Sequence, residues 1–138
     1  MTLEEFVEKN IGKKIDFDNY GGFQCVDLVR QYWKDVEEIK EHTGICASSG
    51  GAKDLYLDYA KMPLEQKYFY KIPKSKGACV GDVVFWDKTT TNKYGHTAIY
   101  LGKLNNKIIV FEQDGLKQDG AKINIRSREF LLGYLRRK

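Results

Sequence analysis

Three cysteines and two histidines make six possible thiol–imidazole pairs in this chain, few enough to weigh one at a time. A cysteine attacks as its thiolate, and a thiolate needs positive potential nearby. Cys25 stands where that potential is expected. It follows Gly21-Gly22-Phe23-Gln24 and opens an apolar-periodic segment, so free main-chain amides and the positive end of a helix dipole surround it. The two glycines leave that helix end open to a substrate. Cys46 falls in a Gly/Ser loop and Cys79 precedes a turn into a strand, and both read as small buried hydrophobes. His42 belongs to the charged stretch after Glu37 and reads as a surface residue. His96 follows Tyr94-Gly95 and opens Thr97-Ala98-Ile99-Tyr100-Leu101. A rigid strand end presenting an imidazole is a good mount for a general base.

A base works best with a third group that orients it. Phe111-Glu112-Gln113-Asp114 ends the next strand, and a period of two puts Glu112 and Asp114 on one face with Gln113 on the other. A hairpin bending within residues 103–106 brings Ile99 near Val110 and position 96 near 112–114. Either carboxylate then fixes the His96 tautomer and stabilises its imidazolium, and a slip of one residue changes which. No two cysteines and no two histidines lie at short-range ligand spacing, which sets zinc aside.

The positioning elements read as helices first and strands second. Thr2-Leu3-Glu4-Glu5 fits a capping box, predicting a short helix with Phe6 and Val7 inward that ends near Gly12. From Phe23 the spacing of Val26, Val29, Trp33 and Val36 makes the apolar stripe of a second helix. Residues 41–51 read as a loop and 52–60 as a third, weaker helix. After Pro63 the pattern turns to strands at 68–72, 82–86, 96–101, 107–113, 121–125 and 130–135. Their punctuation is Gly81-Asp82, Asn105-Asn106, Asp114-Gly115 and Asp119-Gly120. Short strands joined by short turns make an antiparallel sheet, and the fold class is α+β with helices packed on one face.

Composition narrows the class further. The chain has 138 residues, 42% hydrophobic, 13% aromatic and only two prolines, which excludes a disordered tether and supports one domain. No apolar run approaches the length of a membrane span, so no membrane insertion is expected. Acidic Glu4-Glu5 stands where a signal peptide would be basic, so no export segment is expected. The net charge of +4 gathers late, in Arg126, Arg128 and Arg136-Arg137-Lys138. It reads as a solvated surface, with no nucleic-acid motif beside it.

Four segments in order then resemble one family: Gly22-Phe23-Gln24-Cys25-Val26-Asp27-Leu28-Val29, Gly81-Asp82-Val83-Val84-Phe85-Trp86, Gly95-His96-Thr97-Ala98-Ile99-Tyr100-Leu101-Gly102 and Phe111-Glu112-Gln113-Asp114. They resemble the CHAP domain, the cysteine- and histidine-dependent amidohydrolases/peptidases common in bacteriophage endolysins, over nearly the whole chain. The resemblance implies a papain-like fold, with N-terminal helices packed on a six-stranded antiparallel sheet, and cleavage of an amide bond of bacterial peptidoglycan. Cys25 becomes the nucleophile, His96 the base and then acid, and Glu112 the group orienting His96. The family usually carries Asn two residues after that Glu, where this chain has Asp114; an ionised Asp cannot donate a hydrogen bond, which leaves its role open. The Cys25 backbone amide and the Gln24 side chain are the expected oxyanion donors. Trp86 and Tyr94 are candidates to line the groove. The resemblance leaves N-acetylmuramoyl-L-alanine amidase and stem-peptide or cross-bridge endopeptidase both open. The alternatives are another papain-like thiol (iso)peptidase and a wall-binding module without catalysis.

A second constellation precedes the nucleophile. Asp16, Asp18, Tyr20, Gly22 and Asp27 occupy positions 1, 3, 5, 7 and 12 of a loop, the spacing by which an EF-hand-type loop wraps Ca²⁺, with Gly21 at position 6. The same spacing also suits an acidic helix start without metal. The resemblance favours structural calcium that stiffens the loop without joining the chemistry. It further implies a monomer held in the host cytoplasm until released to the wall through a phage holin or larger lytic assembly, or secreted by a non-classical route. No separate wall-targeting repeat is expected within 138 residues.

Overall fold

The computed structural model describes residues 1–19, 24–41, 43–44, 51–114 and 116–138. Tyr20, Gly22, His42 and Cys46 lie outside the described residues, and so do the expectations placed on them. Helix α1 runs Leu3–Asn10 behind the capping box, in which Thr2 Oγ1 accepts from the Glu5 amide at 3.1 Å and Glu5 Oε1 accepts from the Thr2 amide at 3.0 Å. Helix α2 runs Cys25–Asp35 with Gln24 as its N-cap. Val29 and Trp33 of its apolar stripe are fully buried, while Val26 and Val36 pack at the margin of the core.

The third predicted helix is broken into α3, Asp54–Leu57, and a 3₁₀ turn, Tyr59–Lys61. The segment after Pro63 is not yet sheet. Pro63 takes the first position of a further helix, α4, Pro63–Tyr68, where its missing N–H costs nothing. Six strands follow, β1 Phe69–Pro73, β2 Val83–Trp86, β3 His96–Leu104, β4 Lys107–Glu112, β5 Lys122–Arg126 and β6 Leu131–Arg137. They form one sheet in the order β1-β6-β2-β3-β4-β5, with every neighbouring pair antiparallel.

Period-two alternation splits the strands between two apolar clusters. On one face Phe69, Val83, Phe85, Ile99, Phe111 and Leu135 pack with Phe6 of α1, Leu28, Val29, Tyr32 and Trp33 of α2, and Leu55 of α3. On the other, Val84, Trp86, Ala98, Tyr100, Val110 and Tyr134 bury one another with no helix residue in the cluster. The α+β arrangement with helices on one face is therefore as the pattern predicts.

The β3–β4 register differs from the count by one residue. Ile99 pairs with Phe111 and not with Val110. The hairpin closes on Asn105-Asn106 alone, with Asn105 at φ 55, which moves the partners two places from a bend spread over 103–106. A bulge between Tyr100 and Gly102 then returns one place. One residue further along, Glu112 falls level with Ala98, on the face His96 shares.

The late positive charge is not simply solvated. Arg136 grips the buried Asp82 through Nε at 3.0 Å and Nη2 at 2.8 Å, pinning β6 to the turn before β2. Arg137 stands 3.7 Å from Glu37 and over the Tyr68 ring. Cys79 is exposed, contrary to the expectation of a buried hydrophobe. Its amide donates to Asp82 Oδ2 at 2.8 Å, so the backbone is held in the turn and the side chain is left at the surface.

Candidate active site

The site forms where the start of α2 meets the start of β3. Asn92 builds the approach: its Nδ2 donates to the Gly95 carbonyl at 2.9 Å and its Oδ1 accepts from the Tyr94 amide at 3.0 Å. Gly95 has φ +73, and a Cβ there would collide with the Trp86 carbonyl and lie 2.8 Å from Lys53 Cβ. Glycine is thus required at the residue that delivers His96. His96 pairs with Trp86 across β3 and β2, and the two rings are 5.5 Å apart.

His96 Nε2 donates to Glu112 Oε1 at 3.0 Å. That leaves Nδ1 as the nitrogen for Cys25, whose side chain is close enough to raise the pKa of the same imidazole. Burial pushes the His96 pKa down, but the hydrogen bonds to Cys25 and Glu112 and the Cys25 charge outweigh it. The result is raised to about 9. The imidazolium is therefore the favoured form beside the thiol through neutral pH.

Glu112 is fully buried and collects four donors. Besides His96, Arg126 Nε reaches Oε1, Arg126 Nη2 donates to Oε2 at 2.9 Å, and Asn124 Nδ2 donates to Oε2 at 3.0 Å. Burial alone would raise its pKa. The His96 and Arg126 hydrogen bonds and charges hold it far below the usual carboxylate range. Arg126 also lies over Trp86, 5.8 Å from the ring. Neither Asn124 nor Arg126 is a sequence-level candidate. The available signal is their i, i+2 spacing on the strand paired with Glu112, which puts both on one face.

Asp114 does not join the His96 hydrogen bond. Its Oδ1 accepts from the Leu116 amide at 2.9 Å, holding the turn after β4, and its Oδ2 stands 4.0 Å from Arg126 Nη2. Gln24 is exposed, and its backbone supports the helix start: its amide donates to Asp27 Oδ2 at 2.9 Å. A groove of about 460 Å³ opens beside His96, between Trp86, Asp114, Arg126 and Phe130. Trp86 forms part of its wall, whereas Tyr94 is exposed and stays outside the lining.

Of the five loop positions read for a cation, Asp16, Asp18 and Asp27 are described and converge, with one carboxylate oxygen of each within 4.8 Å of the others. Burial, followed by the charges of Asp18 and Asp16, pushes the Asp27 carboxyl up to about 6 against a lowering hydrogen bond from the Gln24 amide. Asp16 Oδ1 is buried with no hydrogen-bond partner among the described residues. Arg30 Nη1, 3.5 Å from Asp18, offsets part of the negative charge.

A family model, the CHAP domain, matches residues 15–114. The chain belongs to the CHAP domain family. It is 29% identical over 102 residues, 70% of its own length, to the endolysin PlyTW of Staphylococcus phage Twort, and covers 19% of that protein. Two solved structures, one of them the endolysin LysIME-EF1, share the fold. LysIME-EF1 superposes with a TM-score of 0.67 at 19% identity, over 99% of this chain and 64% of that one. Ly7917, solved with the hydrolyzing product of MDP, gives 0.69 at 18% identity, over 99% and 63%. The chain thus spans about a fifth of the length of the curated relative and under two thirds of either solved chain. The papain-like α+β fold of CHAP endolysins is the fold of this chain.

Proposed function

We propose that this CHAP domain hydrolyses an amide bond of bacterial peptidoglycan through an acyl-enzyme on Cys25. The observation that carries the reading is the single line of contacts from Cys25 through His96 to Glu112, closed by Arg126 and Asn124. The Cys25 thiolate attacks the amide carbonyl, and the Cys25 main-chain N–H, unpaired within the helix at its first position, faces the developing oxyanion. The His96 imidazolium gives its proton to the leaving amine, then takes one from water as that water attacks the thioester. Glu112 keeps the ring in the tautomer that offers Nδ1 to sulfur. The Gln24 side chain remains the candidate for a second oxyanion donor.

The substrate assignment is supported by the endolysin relatives. Both N-acetylmuramoyl-L-alanine amidase and endopeptidase use this chemistry. Purified sacculi digested with the wild type and with Cys25→Ala, followed by mass spectrometry, separate them. New amino groups on stem peptides freed from glycan mean amidase; new termini within peptides mean endopeptidase. Intact sacculi with the wild type, or equal digestion by Cys25→Ala, would contradict the reading. As an endolysin-type domain it would act as a monomer on the wall after release from the cytoplasm, with a holin or lytic assembly giving access. Among the described residues, no helix is long and apolar enough to cross a membrane.

The orphaned Asp16 oxygen and the convergence of three carboxylates fit a hard divalent cation such as Ca²⁺. Asp16, Asp18 and Asp27 would hold it, and its charge would rigidify the segment leading to Cys25. Saturating calcium is expected to raise Tm by about 5 °C over EGTA, an increment lost in Asp16→Asn. Identical melting in calcium and EGTA would remove the metal from this scheme.

A further inference from the structure

Gln113 has no role in the chemistry above, yet its side chain is fully buried and every polar group on it is used on one segment. Its Oε1 accepts from the Ile15 amide at 2.7 Å. Its Nε2 donates to the Ile15 carbonyl at 2.6 Å and to the Gln24 carbonyl at 2.9 Å. One amide at the end of β4 therefore clamps both ends of the segment between residues 15 and 24, from the residue next to Glu112.

The Gln24 carbonyl matters because it shares a peptide plane with the Cys25 N–H. Among the described residues no peptide bond is cis, so carbonyl and N–H of that unit point in opposite directions. That carbonyl also accepts from the Asp27 amide at 3.1 Å, while the Gln24 amide is tied to the Asp27 carboxylate. Two of these bonds act on the plane itself, through its carbonyl, and of these the Gln113 bond comes from outside the helix start. Rotating the plane would swing the Cys25 N–H away from the carbonyl under attack. An oxyanion donor displaced in this way stabilises charge far less, because its contribution depends on aim.

We infer that Gln113 is a positioning residue that aims the Cys25 main-chain N–H by holding the Gln24 carbonyl, so that the oxyanion donor is set by strand β4. The inference rests on the reading of Cys25 as the acylated nucleophile. It adds that one strand terminus sets both halves of the machinery: Glu112 on one face orients the base, and Gln113 on the other orients the oxyanion donor.

Two small probes separate this role from a structural one. p-Nitrophenyl acetate acylates a thiolate through a tetrahedral oxyanion: sulfur bonds to the carbonyl carbon, p-nitrophenolate leaves, and a thioester remains. Iodoacetamide alkylates the same sulfur by direct displacement of iodide, with no oxyanion. Both rates are read at Cys25 by peptide mapping, in the wild type, Gln113→Leu and Gln113→Glu. The glutamate keeps the side chain's size and an acceptor for the Ile15 amide while removing the donors. Expected for a folded variant is acylation slowed about tenfold or more, with alkylation within twofold of wild type. Equal loss of both rates, no loss of either, or a Gln113→Glu chain unfolded by circular dichroism would each overturn the inference. Neither probe needs a wall substrate. A wild type that acylates normally yet releases nothing from sacculi would refute the peptidoglycan assignment and leave this test standing.

Discussion

His96→Ala lowers hydrolysis of sacculi by roughly 10³-fold or more, the largest effect expected outside Cys25 itself. In the proposed mechanism the imidazole acts twice in one turnover, as proton donor to the leaving amine and as base for the deacylating water. In the same scheme it is the counter-ion of the thiolate, facing Cys25 on one side and held by Glu112 on the other. Alanine removes all three functions and leaves Glu112 still paired with Arg126 and Asn124, so the sheet end stays satisfied. The loss should therefore fall on kcat, with Tm changed far less than in a Glu112 variant. Initial rates on sacculi with parallel thermal melts check it, and a variant within tenfold of wild type would remove His96 from the mechanism.

Glu112→Gln is expected to cost roughly 10²-fold or more in activity and, by breaking a buried ion pair, about 3 kcal/mol in stability. The carboxylate accepts from four donors, whereas a Gln side chain has one acceptor oxygen and brings an NH₂ of its own to face donors. Arg126, with its side chain only 30% exposed, loses its counter-charge.

The pH dependence follows from the signs. The His96 pKa lies above its ordinary 6.5, so its stabilising contribution is complete below about 6.5 and is lost as pH rises through about 9. The Glu112 pKa lies below its ordinary 4.5, so its contribution is complete above about 4.5 and is lost only in stronger acid. The stability gap between wild type and Glu112→Gln should be widest between these limits and narrow toward pH 9. An NMR titration of the His96 ring should show its midpoint falling from near 9 in the variant. An unmoved midpoint would mean that Glu112 does not support the imidazolium.

What could be read without a structure follows the range of each signal. Cys25 and His96 carry local marks, a helix start after Gly-Gly and a strand start after Gly95, and both are where those marks place them. Strand parity puts Glu112 and Asp114 on one face, but whether His96 shares that face depends on the register between the strands. That register is not legible, because the bulge at Tyr100–Gly102 leaves no mark in the residue pattern. Asn124 and Arg126 serve a carboxylate 12 and 14 residues away, and Gln113 serves amides and carbonyls as far as 98 residues away. Such partners emerge only once the strands are registered. Arg126 and Arg136 read as solvated charge in the sequence because a carboxylate partner across a sheet is invisible in a linear chain. Asp114 kept its turn but not the orienting role, since Arg126 and Asn124 already complete the shell of Glu112.

The thiol of Cys25 as the one attacking atom is the claim on which everything else depends. Limiting iodoacetamide, with labelled cysteines mapped by mass spectrometry and residual hydrolysis of sacculi measured on the same samples, tests it most directly. The expected result is loss of activity in proportion to carboxamidomethylation of Cys25, with labelling of the exposed Cys79 leaving activity unchanged. Full activity in protein whose Cys25 is quantitatively alkylated would contradict it.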